Sequence, residues 1–108
     1  HWTRDRRLGR RFSVAEMVKA LSRDNALAVG LADRGVIAPG AKADLNVIDY
    51  ARLQLHAPRV SYDLPAGGRR LLQDATGYRA TILSGVVTQR DDQPTGALPG
   101  TLVRGGGG

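Results

Sequence analysis

The sequence predicts an α+β fold whose two kinds of element are separated along the chain: two short helices first, then a mostly antiparallel β portion. Two observations carry this. Apolar residues recur at helical spacing only before residue 31. From Val36 onward they come in short β-branched runs bounded by Gly and Pro. No internal repeat appears at any useful period, so the chain is neither a solenoid nor an array. Its 108 residues suffice for one domain that folds without metals or disulfides.

The first helix is predicted from about Val14 to Leu21. Ser13 followed three residues later by Glu16 is a capping box, and Val14, Met17, Val18 and Leu21 share one face. Ser22 is expected to cap a second helix, "RDNALAV", and Gly30 to close it in the left-handed conformation. Neither helix is long enough to be stable alone, so both should pack against something larger. Pro39 and Gly40 occupy the central positions of a type II turn, and "LNVI" reads as a brief strand ending at Asp49. Further strands are predicted at "RLLQ" and within "RATILSGVVTQR", where Ser84 and Gly85 make a two-residue hairpin turn; "RDDQPTG" supplies the next turn. Between them, "LHAPRVSYDLPAGGRRL" is expected to be loop or edge strand, because Pro58 and Pro65 donate no ladder hydrogen bonds. The run Gly105 to Gly108 is expected to form a flexible tail.

Composition excludes several functions. The chain has no cysteine, so disulfide frameworks, thiolate zinc sites and cysteine nucleophiles are ruled out within it. Its apolar runs fall far short of the roughly 20 residues needed to cross a bilayer, and no signal peptide opens it, so no membrane partner is expected. The formal net charge of +6 is made with arginine, Lys19 and Lys42 being the only lysines among 16 basic residues. Residues 1–11, "HWTRDRRLGRR", hold five of the arginines and one Asp. Such a patch admits a basic nucleic-acid-binding module as an alternative reading, but the aromatics Trp2, Phe12, Tyr50, Tyr62 and Tyr78 are scattered and not arrayed as stacking platforms. No nucleic acid is therefore expected as a partner. Unpaired strand edges would also admit a self-associating interaction domain or homo-oligomer.

The residues offer no reaction centre. His1 and His56 are the only histidines and have no H-x-H or H-x-x-x-H partner. Ser61, His56 and Asp63 lie too close in one loop for triad geometry. Gly67, Gly68, Arg69 and Arg70 in "PAGGRRLL" lack P-loop spacing and read as a turn entering a strand. Asp91 and Asp92 read as solvated turn residues, one of them bonding the turn's own backbone. No residue is assigned a catalytic, cofactor-binding or metal-binding role.

The stretch "GLADRGVIAPGAKADLNVID" resembles the C-terminal part of amidohydrolase-superfamily enzymes, matching their pattern at Gly30, Leu31, Asp33, Arg34, Gly35, Ile37, Pro39, Gly40, Ala43, Asp44, Leu45, Val47 and Asp49. The flanks "HWTRDRR", "SVAEMVKALSRDNA" and "DLPAGGRRLLQDATGYRATILSGVVTQRDDQPTGALPGTLVRG" look like the N-acyl-D-amino-acid deacylase (D-aminoacylase-like) branch. That resemblance implies a cytoplasmic parent enzyme in which zinc, held on the strands of a TIM-type barrel, activates water against the amide of an N-acyl-D-amino acid. It implies that residues 1–31 are the barrel's terminal helices and residues 36–104 the C-terminal part of a composite β-sandwich, with 105–108 as tail. The metal ligands and the last catalytic Asp would precede His1, and the chain's opening on His1 suggests excision from something longer. The expected partner is then the remainder of the enzyme chain, with zinc and the small-molecule substrate belonging to the parent and no cofactor to this piece.

Overall fold

In the computed structural model, which describes residues 1–104, the chain is α+β, helical first and antiparallel afterwards. Its described residues divide into two units, His1–Asp44 with residues 101–104, and Leu45–Gly100. The tail expected at 105–108 lies outside the described residues.

The capping box forms as the sequence dictates. Ser13 Oγ accepts from the Glu16 amide at 3.2 Å, and Glu16 Oε2 accepts from the Ser13 amide at 2.8 Å. These bonds open helix α1, Val14–Lys19. The break expected at Ser22 does not occur. Instead the backbone widens into a π turn, Ala20–Asp24, and continues as α2, Asn25–Ala28, so Ser22 lies inside a continuous helical run and caps nothing. A π turn brings residues five apart onto one side, and Lys19 Nζ reaches Asp24 Oδ1 at 2.8 Å across it. At the far end Gly30 has φ 79°. The amides of Gly30 and Leu31 bond the carbonyls of Leu27 and Ala26, a complete Schellman ending.

The loop after the helix is tied down residue by residue. Arg23 Nη1 donates to the carbonyls of Ala32 at 2.8 Å and Arg34 at 3.0 Å. Gly35 lies so near the helix that a Cβ there would stand 2.7 Å from Arg23 Cα. Ala38 to Ala41 close the expected type II turn through an amide-to-carbonyl bond of 3.1 Å, with Gly40 at φ 84°. The Arg34 guanidinium pairs with Asp33 at 3.1 Å and with Asp44 at 3.7 Å.

The second unit holds one four-stranded sheet and a separate ribbon. The sheet has the order β1-β6-β7-β8, all antiparallel, from Leu45–Ile48, Tyr78–Leu83, Val86–Arg90 and Gln93–Pro94. Ser84 and Gly85, both with positive φ, form the predicted two-residue turn between β6 and β7. Asp91 and Asp92 do the same between β7 and β8. The ribbon pairs β2 (Gln54–Leu55) with β5 (Ala75–Thr76), and β3 (Arg59–Ser61) with β4 (Arg70–Leu72). Loop and edge strand were expected there, and paired edge strands are what form. "PAGGRRL" is a tight turn entering β4.

Packing is sparse. Among the described residues only Ala26, at 9% exposure, is buried. Val14, Val18 and Leu21, the face that the helical spacing predicts, remain exposed.

Candidate functional site

Two surfaces gather chemically capable side chains, one in each unit. In the second, a cleft of about 270 Å³ is lined by Asp49, Arg52, Thr76, Gly77, Tyr78, Arg79, Asp91 and Asp92. Register places them. The Asp49 amide bonds the Gly77 carbonyl at 2.9 Å, which sets the end of β1 beside the start of β6. The β7–β8 turn folds over the same point, where Asp92 takes the amides of Gly77 at 3.0 Å and Tyr78 at 2.8 Å on its two carboxylate oxygens. Asp92 thus bonds backbone fourteen and fifteen residues back, not its own turn as the sequence suggested. Gly77, at φ 106°, permits this because a Cβ would stand 2.7 Å from Leu53 Cα. Arg52 pairs with Asp49 and Arg79 with Asp91, at 3.7 and 3.6 Å. Each charge in the cleft faces its opposite or a backbone donor, an arrangement that holds strands in register.

The residues considered as a triad are dispersed in their bonding. His56 Nε2 meets Thr76 Oγ1 at 2.9 Å, a contact between residues twenty apart that no sequence spacing announces. Asp63 receives Arg70 through both oxygens, at 2.7 and 2.6 Å. The Arg70 hydrogen bond, helped by Ser61, holds the Asp63 carboxyl below its ordinary range and correspondingly raises Arg70.

In the first unit the arginine-rich opening forms a braced loop. Arg6 donates to the carbonyls of Leu8 at 2.6 Å and Arg10 at 3.2 Å, and its guanidinium lies 4.4 Å from the Trp2 ring centre. Arg11 Nε donates to the Arg6 carbonyl at 2.8 Å. Arg10 stands 5.2 Å over Phe12 and pairs with Glu16 at 3.6 Å. The aromatics are scattered along the sequence; the folded loop sets two arginines against two of their rings, Arg6 on Trp2 and Arg10 on Phe12. Beside them Trp2, Phe12, Met17 and Ala20, with the charged Glu16, Lys19 and Asp24, line a groove of about 550 Å³. His1 packs edge-on against Trp2. No group of three or more His, Cys, Asp or Glu side chains among the described residues could hold a metal ion. No helix among them is long and apolar enough to cross a membrane.

The model of the amidohydrolase family matches residues 1–89. No curated protein and no solved structure matched the chain.

Proposed function

This chain belongs to the amidohydrolase family, and from that premise we propose that it is the non-catalytic C-terminal portion of a cytoplasmic, zinc-dependent enzyme cleaving the amide bond of N-acyl-D-amino acids. The observation that carries the reading is the sparse interior. A site that performs chemistry holds its groups to about 0.5 Å through packed supporting side chains. Among the described residues a single side chain is buried, while the backbone is tied by Arg23, Arg34 and Asp92 into shapes that present apolar surface. Such a piece serves as scaffold, its open faces fitting the barrel and β strands of the remaining enzyme. The D-aminoacylase branch rests on the resemblance of the flanks, "HWTRDRR" and "SVAEMVKALSRDNA" before the pattern from Gly30 to Asp49 and the stretch from Asp63 to Gly105 after it.

The donor set of this chain does not fit a zinc site. His56 is engaged with Thr76, His1 lies against Trp2, and among the described residues no group of three potential ligands forms. The metal would belong to residues outside this chain.

The test is direct. The isolated 108-residue chain should hold no stoichiometric zinc and release no amino acid from an N-acetyl-D-amino acid, whereas a polypeptide extended N-terminally through the barrel should do both. Zinc at one equivalent together with D-specific hydrolysis by the isolated chain would overturn the reading. Hydrolysis of a different amide by the longer polypeptide would remove only the D-aminoacylase branch.

A further inference from the structure

We propose that Met17 is an oxidation site, and that its conversion to the sulfoxide by a peroxide unseats the arginine-rich loop from helix α1. The inference is independent of the scaffold reading and concerns the first unit alone. It begins with composition. The chain has no cysteine and one methionine, so a peroxide meets a single sulfur in the whole sequence. That sulfur belongs to a half-buried side chain on the wall of the groove of about 550 Å³, where a small oxidant reaches it.

The position makes the change consequential. Within residues 1–12 the bonds are local: the amides of Arg6 and Phe12 reach the carbonyls of His1 and Trp2 at 2.9 and 3.1 Å, and Arg6 and Arg11 brace the backbone between them. Across to the helix runs the Arg10–Glu16 pair at 3.6 Å, both side chains largely exposed, a kind of pair that contributes little. The apolar joint is the groove, in which Trp2 and Phe12 of the loop, edge-on at 6.4 Å, stand with Met17 and Ala20 of the helical run.

A thioether suits that joint, being apolar, flexible and attracted to ring edges. A sulfoxide does not, because its S–O dipole needs a donor. The groove's own cation, Lys19, is held by Asp24 at 2.8 Å, so water must enter and part the rings from the helix. In the oxidation a sulfur lone pair attacks the outer oxygen of the hydroperoxide. The S–O bond forms as the O–O bond breaks, the sulfur gives up an electron pair, and the other oxygen leaves as water or alcohol with the transferred oxygen's proton. Methionine sulfoxide reductase reverses the step, which makes the site a switch.

Hydrogen peroxide on the 108-residue chain tests this. The tryptic peptide 12–19 should gain one oxygen atom, and the emission of Trp2, the single tryptophan, should move to longer wavelength. The Arg6 and Phe12 amides should exchange about two- to tenfold faster, the range to which a thioether's attraction to aromatic rings corresponds. Sulfoxide reductase should restore both signals. Met17→Leu should keep the slow exchange and ignore peroxide, whereas Met17→Gln should exchange fast without it. Should Met17→Gln fail to fold, reversal by the reductase in the wild-type chain reads the same step. A Met17 left reduced by peroxide that oxidises free methionine, a sulfoxide that leaves both amides unchanged, or an equal peroxide response in Met17→Leu would each overturn the proposal.

Discussion

The helical run from Val14 to Ala28 and the hairpin of β6 with β7 are specified equally well at their ends and very differently in between. The helix has a complete capping box and a complete Schellman ending, and the hairpin has a two-residue turn with both residues at positive φ. Yet β6 lies between β1 and β7, and Ala80, Thr81, Ile82 and Leu83 are all half-buried. The helix exposes Val14, Val18 and Leu21, the last at 68%. Local hydrogen-bonding chemistry decides where an element starts and stops; whether its apolar face is satisfied depends on neighbours. In the helical run the first condition is met at both ends and the second is not, whereas the central strand β6 meets the second in part.

The sharpest way to break the comparison is to attack the close backbone approach each region depends on. Gly77→Ala puts a Cβ 2.7 Å from Leu53 Cα at φ 106°, and Gly35→Ala puts one 2.7 Å from Arg23 Cα at φ 79°. In both the obstructing atoms are backbone, so each substitution should cost about 2–4 kcal/mol. Gly40→Ala meets open space and carries only the left-handed strain, about 1 kcal/mol. Urea unfolding of the three variants should rank them in that order. Equal losses would mean that positive φ alone, and not close approach, governs these positions.

A smaller effect reads the packing difference itself. In the isolated chain Leu21→Ala should change stability by less than about 0.5 kcal/mol, as at other exposed sites. Ile82→Ala, half-buried in the central strand, should cost about 1–2 kcal/mol, less than a fully buried site would. In the barrel-containing polypeptide the two values should converge upward. A Leu21 variant that stays neutral in the longer polypeptide would show that the helix face is never covered.

Legibility in the sequence followed the range of the interactions. Ser13 with Glu16, Gly30, Pro39 with Gly40, and Ser84 with Gly85 each act within a few residues, and each forms as its residue chemistry predicts. The π turn was not legible: Ser22 has the right side chain for a cap, but continued helical hydrogen bonding and the Lys19–Asp24 pair keep it inside the run. Asp92 on Gly77 and Tyr78, His56 on Thr76, and Arg6 over Trp2 depend on register or loop closure, which spacing along the chain does not encode. Pro58 stands between the two short ladders and belongs to neither, as a residue that donates no ladder hydrogen bond should. Family membership was legible because the loop from Gly30 to Asp49 is built of short-range backbone constraints, Gly35 against the helix above all, which leave a dense signature in the sequence.

The smallest effect separates the start of the helix from the turn before β4 by pH, since Glu16 and Asp63 are exposed carboxylates each lowered by a local partner. In Glu16 the Ser13 amide is the main cause, and in Asp63 it is the Arg70 guanidinium. A carboxyl whose folded pKa lies below its unfolded value of about 4 stabilises the fold above that value, because the unfolded chain takes up the proton first on acidification. The contribution is lost as pH falls through the folded pKa. The melting-temperature difference between wild type and Glu16→Gln, or between wild type and Asp63→Asn, should therefore be constant from pH 7 to about 5 and shrink toward zero below about pH 4. Both carboxyls are open to solvent, so screening keeps each difference small, and helical circular dichroism should follow Glu16 but not Asp63. A difference that grows on acidification would reverse the sign for that group and mean that its partner is not engaged in solution.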